Sequence, residues 1–184
     1  MRRILLVPPA LEPVLVAEAK AHLRLDGNAE DDLVGALLVA ARVAVETEIR
    51  RVLIAQTWRA IADHWPAAGL VLPVVPVLAI DAVRAVSAGG TATALGPNEY
   101  AVDAITGALR LVRPAADAER YEIDFSAGFG ASGLNVPQPL RQAIQLLVTH
   151  WFENRSTVIV GDANVATPFG YRELVAPYRR MALC

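Results

Sequence analysis

Two apolar spacings follow one another along this chain, and their order constrains its fold more than any single residue does. Before about Ile54 and after about Val136, apolar side chains recur three and four positions apart, the spacing of helices that face a core. Between them, from Ala55 to about Gly130, the runs shorten to strand length: QTWRAIADHW, LAIDAVRAVS, TATAL, EYAVD, ALRLV and YEIDFSA. Pro66, Pro73, Pro76, Gly89-Gly90, Gly96-Pro97, Thr106-Gly107 and Pro114 separate these runs. Helices on either side of an unbroken block of strands exclude alternating βαβ order. They predict an α+β fold: a small helical bundle with an antiparallel β insertion between its N-terminal and C-terminal helices.

Within the first part, Val14–Leu25 reads as a short amphipathic helix with Val16, Ala19 and Leu23 inward. Asp26-Gly27 signals a turn, and Asn28 stands as an N-cap before a second helix, Ala29 to about Val52, whose first turn carries Glu30, Asp31 and Asp32. Leu33, Leu37, Ala40 and Ala44 form one stripe of that helix, and Leu38, Ala41, Val45, Ile49 and Val52 a second beside it. So wide an apolar surface predicts packing on more than one side. Pro137 and Pro139 suit the first turn of a third helix running to about Arg155. A short helix over Tyr171–Val175 follows, ended by Pro177. The expected plan is one domain over 1–184: helices to 54, the β insertion over 55–130, the long helix and the segment after it over 134–161, and a C-terminal segment over 162–184.

The totals exclude several classes. With 54% hydrophobic and 20% charged residues, 184 residues make a compact chain able to bury a core. A formal charge of −2 carries no electrostatic footprint for duplex DNA. The one lysine, Lys20, restricts Schiff-base chemistry to that position, and the one cysteine, Cys184, rules out an intrachain disulfide. MRRILLVPPA imitates a signal peptide, but its apolar run stops at Pro8, short of the roughly 7–15 residues required. No stretch approaches the ~18 apolar residues of a membrane span. The expected location is the cytoplasm, with no membrane partner.

Of the motifs that carry chemistry, GFGASG (Gly128–Gly133) satisfies G-x-G-x-x-G after an apparent strand. The dinucleotide reading requires a helix opening at the third glycine, whereas Leu134–Pro139 intervenes with two prolines, and the acidic residue Asp162 lies beyond the ~20-residue spacing. A strand-to-helix turn is the simpler reading. His22, His64 and His150 show no metal-ligand spacing, and no nucleophile elbow or P-loop is present.

LRQAIQLLVTHWFENR (140–155) gathers a histidine, a glutamate, an asparagine and an arginine. At 100° per residue, Leu140, Ile144, Leu147 and Trp151 fall on one stripe, which predicts a core face. Asn154 and Arg155 then lie where a helix end needs local partners for its polar groups and carbonyls. His150 and Glu153 could form an acid–base pair, but the sequence supplies no nucleophile for them. Leu146 and Phe152 point away from the stripe to opposite sides, so the helix is expected to meet further partners there, a neighbouring subunit among them. Leu38 joins these two as a subunit-interface candidate.

Five segments in this order, VLVAEAKAHLRLDGNAEDDLVGALLVAARVAVE, LIAQTWRAIAD, FSAGFG, VPQPLRQAIQLLVTHWFENR and PFGYRELVAPYR, resemble the head–tail connector, or adaptor, proteins of long-tailed bacteriophages and phage-derived gene transfer agents. The resemblance covers nearly the whole chain and rests on the ordered set. It implies a helical bundle (Val14–Leu25, Ala29–Val52, Pro139–Arg155) carrying a β insertion. It implies assembly as a ring under the portal, usually matching its twelve-fold symmetry, which extends the DNA channel without sequence-specific binding. The implied partners are the portal, further copies of the chain, and a tail or tail-completion (stopper or terminator) protein. The location then becomes the host cytoplasm during assembly and the head–tail junction afterwards. Pro168 to Cys184 matches the part that commonly docks into the portal, with Phe169, Tyr171, Leu174, Tyr178, Arg179 and Arg180 as candidate contacts. No cofactor, metal or catalytic residue is implied. The alternative is a small nucleotide- or ligand-handling enzyme using the Gly128–Gly133 turn with His150 and Glu153.

Overall fold

The computed structural model describes residues 1–66, 69–103, 106–112, 118–154 and 168–180. The chain forms two compact units, one of residues 1–10 and 54–131, the other of 11–53 and 132–184.

The first unit is all β. A five-stranded antiparallel sheet has the order β1-β2-β8-β4-β5, formed by β1 (Arg2–Val7), β2 (Gln56–Ala62), β8 (Ala118–Ala127), β4 (Val77–Ser87) and β5 (Ala92–Ala94). A second sheet of β3 (Leu70–Val71), β7 (Ala108–Leu111) and β6 (Tyr100–Asp103) has the order β3-β7-β6. Period-two alternation decides which face is covered. In β8, Tyr121, Ile123, Phe125 and Ala127 are buried, while Arg120, Glu122, Asp124 and Ser126 face the other way. The register sets Ile123 between Ala60 and Val83, so that apolar side chains meet across three central strands. Trp65 meets Tyr121 edge to face, with ring centroids 5.0 Å apart. Leu70, Leu72, Val74, Val75 and Leu109 are buried in this unit as well.

The polar face of the same sheet carries a cross-strand ion-pair network. Asp124 lies opposite Arg59 in the register and accepts from its Nε and Nη2 at 2.6 and 2.9 Å, and from Arg84 Nη2 at 2.5 Å. Glu122 adds Arg120 at 3.2 Å and Arg59 at 3.6 Å. The Arg59 hydrogen bond, assisted by Arg84, holds the Asp124 carboxyl below its ordinary range despite partial burial.

β1 departs from expectation. MRRILLV, placed by sequence in the helical part, forms an edge strand in antiparallel register with β2, from Arg2↔Ile61 to Val7↔Thr57. Pro8 and Pro9 end it, since proline cannot donate to a ladder.

The second unit is helical: α1 (Val16–Leu23), α2 (Asp31–Ile49), α3 (Gln138–Glu153) and the short α4 (Tyr171–Val175). The expected boundaries shift by a few residues. α1 begins at Val16 without a polar N-cap side chain, and Glu18 reaches back to accept the Leu15 N–H at 2.9 Å. Arg141 of α3 secures this start by donating to Pro13 O at 3.0 Å and to Glu18 at 2.6 Å. The Leu15 N–H and Arg141 together lower the Glu18 pKa. Asn28 does not cap α2: Glu30 occupies the N-cap position, and the Asn28 side chain accepts from Lys20 at 3.2 Å instead. α2 buries Leu38, Ala41, Val45 and Ile49 of the second expected stripe, and Val34 with them, while Val52 lies beyond the helix and is half-exposed; of the first stripe, Leu33, Leu37 and Ala44 are half-exposed and Ala40 is exposed. Arg42 is also buried, donating from Nε to Glu12 at 2.7 Å and from Nη1 to Glu46 at 2.9 Å. The other Glu46 oxygen accepts the Leu53 N–H at 2.8 Å, tying the chain beyond α2 to its last turns. α3 buries Leu140, Ala143, Ile144, Leu147 and Val148 as its spacing predicts, but Trp151 at the end of the stripe is only half-buried.

Candidate functional site

Among the described residues of the C-terminal segment, 168–180, Tyr171 and Val175 are buried and several polar groups bond α2 and the residues just after it, while the rest are exposed or half-buried. Gly170, at φ 82°, turns the chain into α4. Tyr171 is 3% exposed, and its hydroxyl bonds the Glu48 carboxylate of α2. Burial, then that carboxylate, raises the Tyr171 pKa. Burial acts to raise Glu48 too, but Tyr171 and Arg179 outweigh it and lower its pKa. Arg179 donates to Glu48, the Arg180 N–H donates to Ile49 O at 2.9 Å, and Arg51 Nε donates to Tyr178 O at 2.9 Å. Burial and then the neighbouring Arg51 lower the Arg180 pKa. Leu174 and Tyr178 are half-buried and Arg179 is exposed. Tyr171 therefore belongs to the chain's own core. Phe169 is fully exposed. A large aromatic ring left wholly in water is the strongest interaction signal in the segment.

The interface candidates also change. Leu38 is 1% exposed and packs within its own unit: the period-3.6 stripe to which it belongs is the inward one. Leu146 and Phe152 are half-buried in the single chain. The outward apolar positions of α2 are Val39 and Val43, at 43% and 48% exposure, one turn apart. Both fell outside the two stripes traced in the sequence. Their i, i+4 spacing was the available signal, and the neighbouring Ala40 and Ala44 diluted it.

At the end of α3, Asn154 is exposed, and its backbone and side-chain nitrogens both donate to His150 O, at 3.1 and 2.8 Å. That is local capping of a helix end. Arg155 lies outside the described residues.

The glycine turn has a packing cause. Gly128 has φ 144°, and a Cβ built there would lie 2.7 Å from the backbone of Ile54 and Ala55. Gly130 accepts the Ala55 N–H at 2.9 Å, and Gly128 donates to Pro76 O at 2.9 Å. At Gly133, a Cβ would overlap the Pro13 carbonyl. Gly133 opens a three-residue 3-10 turn, and α3 starts only at Gln138, so no long helix presents its N–H groups at the third glycine. Two backbones in contact, rather than a pyrophosphate, account for Gly128 and Gly133. Gly128 belongs to the β unit, and His150 and Glu153 to the helical unit. Among the described residues, no helix is long and apolar enough to cross a membrane, and no group of three metal-ligating side chains comes together.

Residues 14–166 match the head completion protein family. A chain in the neck of an empty gene transfer agent (GTA) particle, computed with C6 symmetry, is 30% identical at TM-score 0.80, with 100% of this chain and 98% of that one covered. A chain in the virion of a native GTA particle gives the same values. One in the neck of a native GTA particle, computed with C12 symmetry, is 28% identical at TM-score 0.79 over the same shares. No curated protein matches this chain.

Proposed function

We propose that this chain, which belongs to the head completion protein family and is a head–tail connector, assembles as a closed ring between a portal and a tail-completion protein. The observation that carries the reading is the end-to-end match to neck chains at TM-score 0.80 and 30% identity. The surface agrees with it. Phe169, the pair Val39 and Val43, and the edge strand β1 leave large apolar side chains in water, which contacts with neighbouring chains would cover. Its work is mechanical. It holds a passage for DNA, and a net charge of −2 suits a wall along which a polyanion slides. Catalysis has no part in this account. Assembly takes place in the host cytoplasm, and the finished ring sits at the head–tail junction.

Electron microscopy of the purified chain mixed with its portal protein is the test. A ring of six-fold or twelve-fold order seated on the portal is the expected result. A chain that stays monomeric and unbound at micromolar portal concentration overturns the reading. The enzymatic alternative predicts a rise in melting temperature with one of a panel of nucleotides; no shift is expected.

A further inference from the structure

The β unit has open sheet edges of unequal chemistry. Among the described residues, β1 pairs only with β2, and β6 pairs only with β7. Every residue of β1 is exposed, and Ile4, Leu5, Leu6 and Val7 retain 41–56% of their surface. Natural edge strands are guarded by charge, proline or a covering element, because unpaired N–H and C=O groups invite another strand. Here the charges, Arg2 and Arg3, stand at one end only, and four consecutive large apolar residues follow. β6 is the complementary edge. Glu99 precedes it, Asp103 ends it, and Ala101 and Val102 between them are exposed. Glu99 accepts the Gly96 N–H and Asp103 accepts from Thr106, which holds both carboxylates at the two ends of the strand. The remaining open edges are weaker candidates: β5 has three small uncharged residues and β3 only two residues.

We infer that β1 of one copy adds as a strand to β6 of the next copy, and that this contact joins neighbouring subunits of the ring. The inference rests on the ring reading above. A cyclic assembly of identical chains needs two different surfaces that fit each other, whereas a β1–β1 contact about a two-fold axis would close a pair and stop. Strand addition supplies the main-chain hydrogen bonds, and alternate side chains supply the register. β1 extends ~20 Å and β6 ~13 Å, so β6 can be covered along its whole length. Charge agrees in either direction. An antiparallel match brings Arg2 and Arg3 toward Asp103, and a parallel one brings them toward Glu99. Within its own chain Arg3 lies over the Trp58 ring at 5.6 Å, and Arg2 has only an open ion pair with Asp63 at 3.4 Å, so both are held near the edge without being buried.

The test uses full-length chains carrying Cys184→Ser, one with Leu5→Cys and one with Ala101→Cys, mixed with the portal protein and treated with a short bis-maleimide. A covalent dimer from the mixture, and none from either variant alone, is expected; a chain carrying both substitutions should give a ladder. Dimers from Leu5→Cys alone would mean a β1–β1 contact, and a product joined to the portal chain would give β1 to the portal; either overturns the inference. Absence of cross-linking while microscopy shows rings overturns it and leaves the ring reading standing. Absence of any ring overturns both. In parallel, Leu5→Glu should reduce ring yield about tenfold or more with an unchanged melting temperature. An unchanged ring yield would count against β1 as the contact.

Discussion

Gly128→Ala separates a packing glycine from a ligand-binding one. At φ 144° an L side chain is strained, which costs about 1–3 kcal/mol. The new Cβ would also stand 2.7 Å from three backbone atoms of Ile54 and Ala55, where ordinary contact begins at 3.4 Å. Backbone must therefore give by about 0.7 Å, with an overpacking cost of ~1–3 kcal/mol. The sum is about 2–6 kcal/mol. For a chain of this size that is a fall of roughly 4–24 °C in Tm, and the urea midpoint should move at constant slope. Gly90→Ala is the internal control. Gly90 has φ 82° with nothing within 4 Å of a built Cβ, so only the strain of about 1–2 kcal/mol remains. The difference between the two variants, ~2 kcal/mol, isolates the close approach of the two backbones. Equal Tm losses for both would refute that approach. A Gly128→Ala protein as stable as wild type would remove the packing account of the glycine turn altogether.

Three further outcomes are expected. Arg42→Leu should cost about 3–5 kcal/mol in urea unfolding, because it removes the Arg42 guanidinium from the half-buried Glu46 carboxylate and from Glu12. Burial raises the Glu46 pKa in the folded chain, so the stability linked to its protonated form is lost as pH rises; the Arg42→Leu deficit should be smaller at pH 5 than at pH 8. Asp124 shows the opposite sign. Its folded pKa is lowered, so its contribution is complete above the ordinary carboxylate range, near 4, and is lost as pH falls below it. Acid titration followed by circular dichroism should show wild type losing more stability between pH 4 and 2 than Asp124→Asn. In the C-terminal segment, Phe169→Ala should leave Tm unchanged and weaken portal binding by about 2 kcal/mol, roughly 30-fold. Tyr171→Phe should cost ~1.5 kcal/mol of stability through the lost bond to Glu48. The reverse pattern would show that Phe169 packs and Tyr171 docks.

The α+β class and six of the strands were legible because period-two and period-3.6 patterns need no tertiary information: YEIDFSA buries alternate residues of β8, and Leu140, Ala143, Ile144 and Leu147 face inward on α3. β1 was not legible, because ILLV has no alternation to read. An edge strand with both faces exposed puts no demand on its side chains from within the chain. The C-terminal aromatics could not be sorted for a related reason. Phe169 and Tyr171 are both aromatic residues two positions apart, and only the Glu48 carboxylate across the fold decides that one is core and the other surface. Leu38 and Val39 differ by one position on a helix that is apolar nearly all round, so composition could not say which flank faces inward. In each case the unread information is the location of a second surface. For Tyr171 and Leu38 the chain itself provides that surface. For β1, Val39, Val43 and Phe169 it does not, and their apolar side chains stay exposed on the single chain. The sequence thus showed an excess of apolar flanks, and the fold divides them between the chain's own core and its surface.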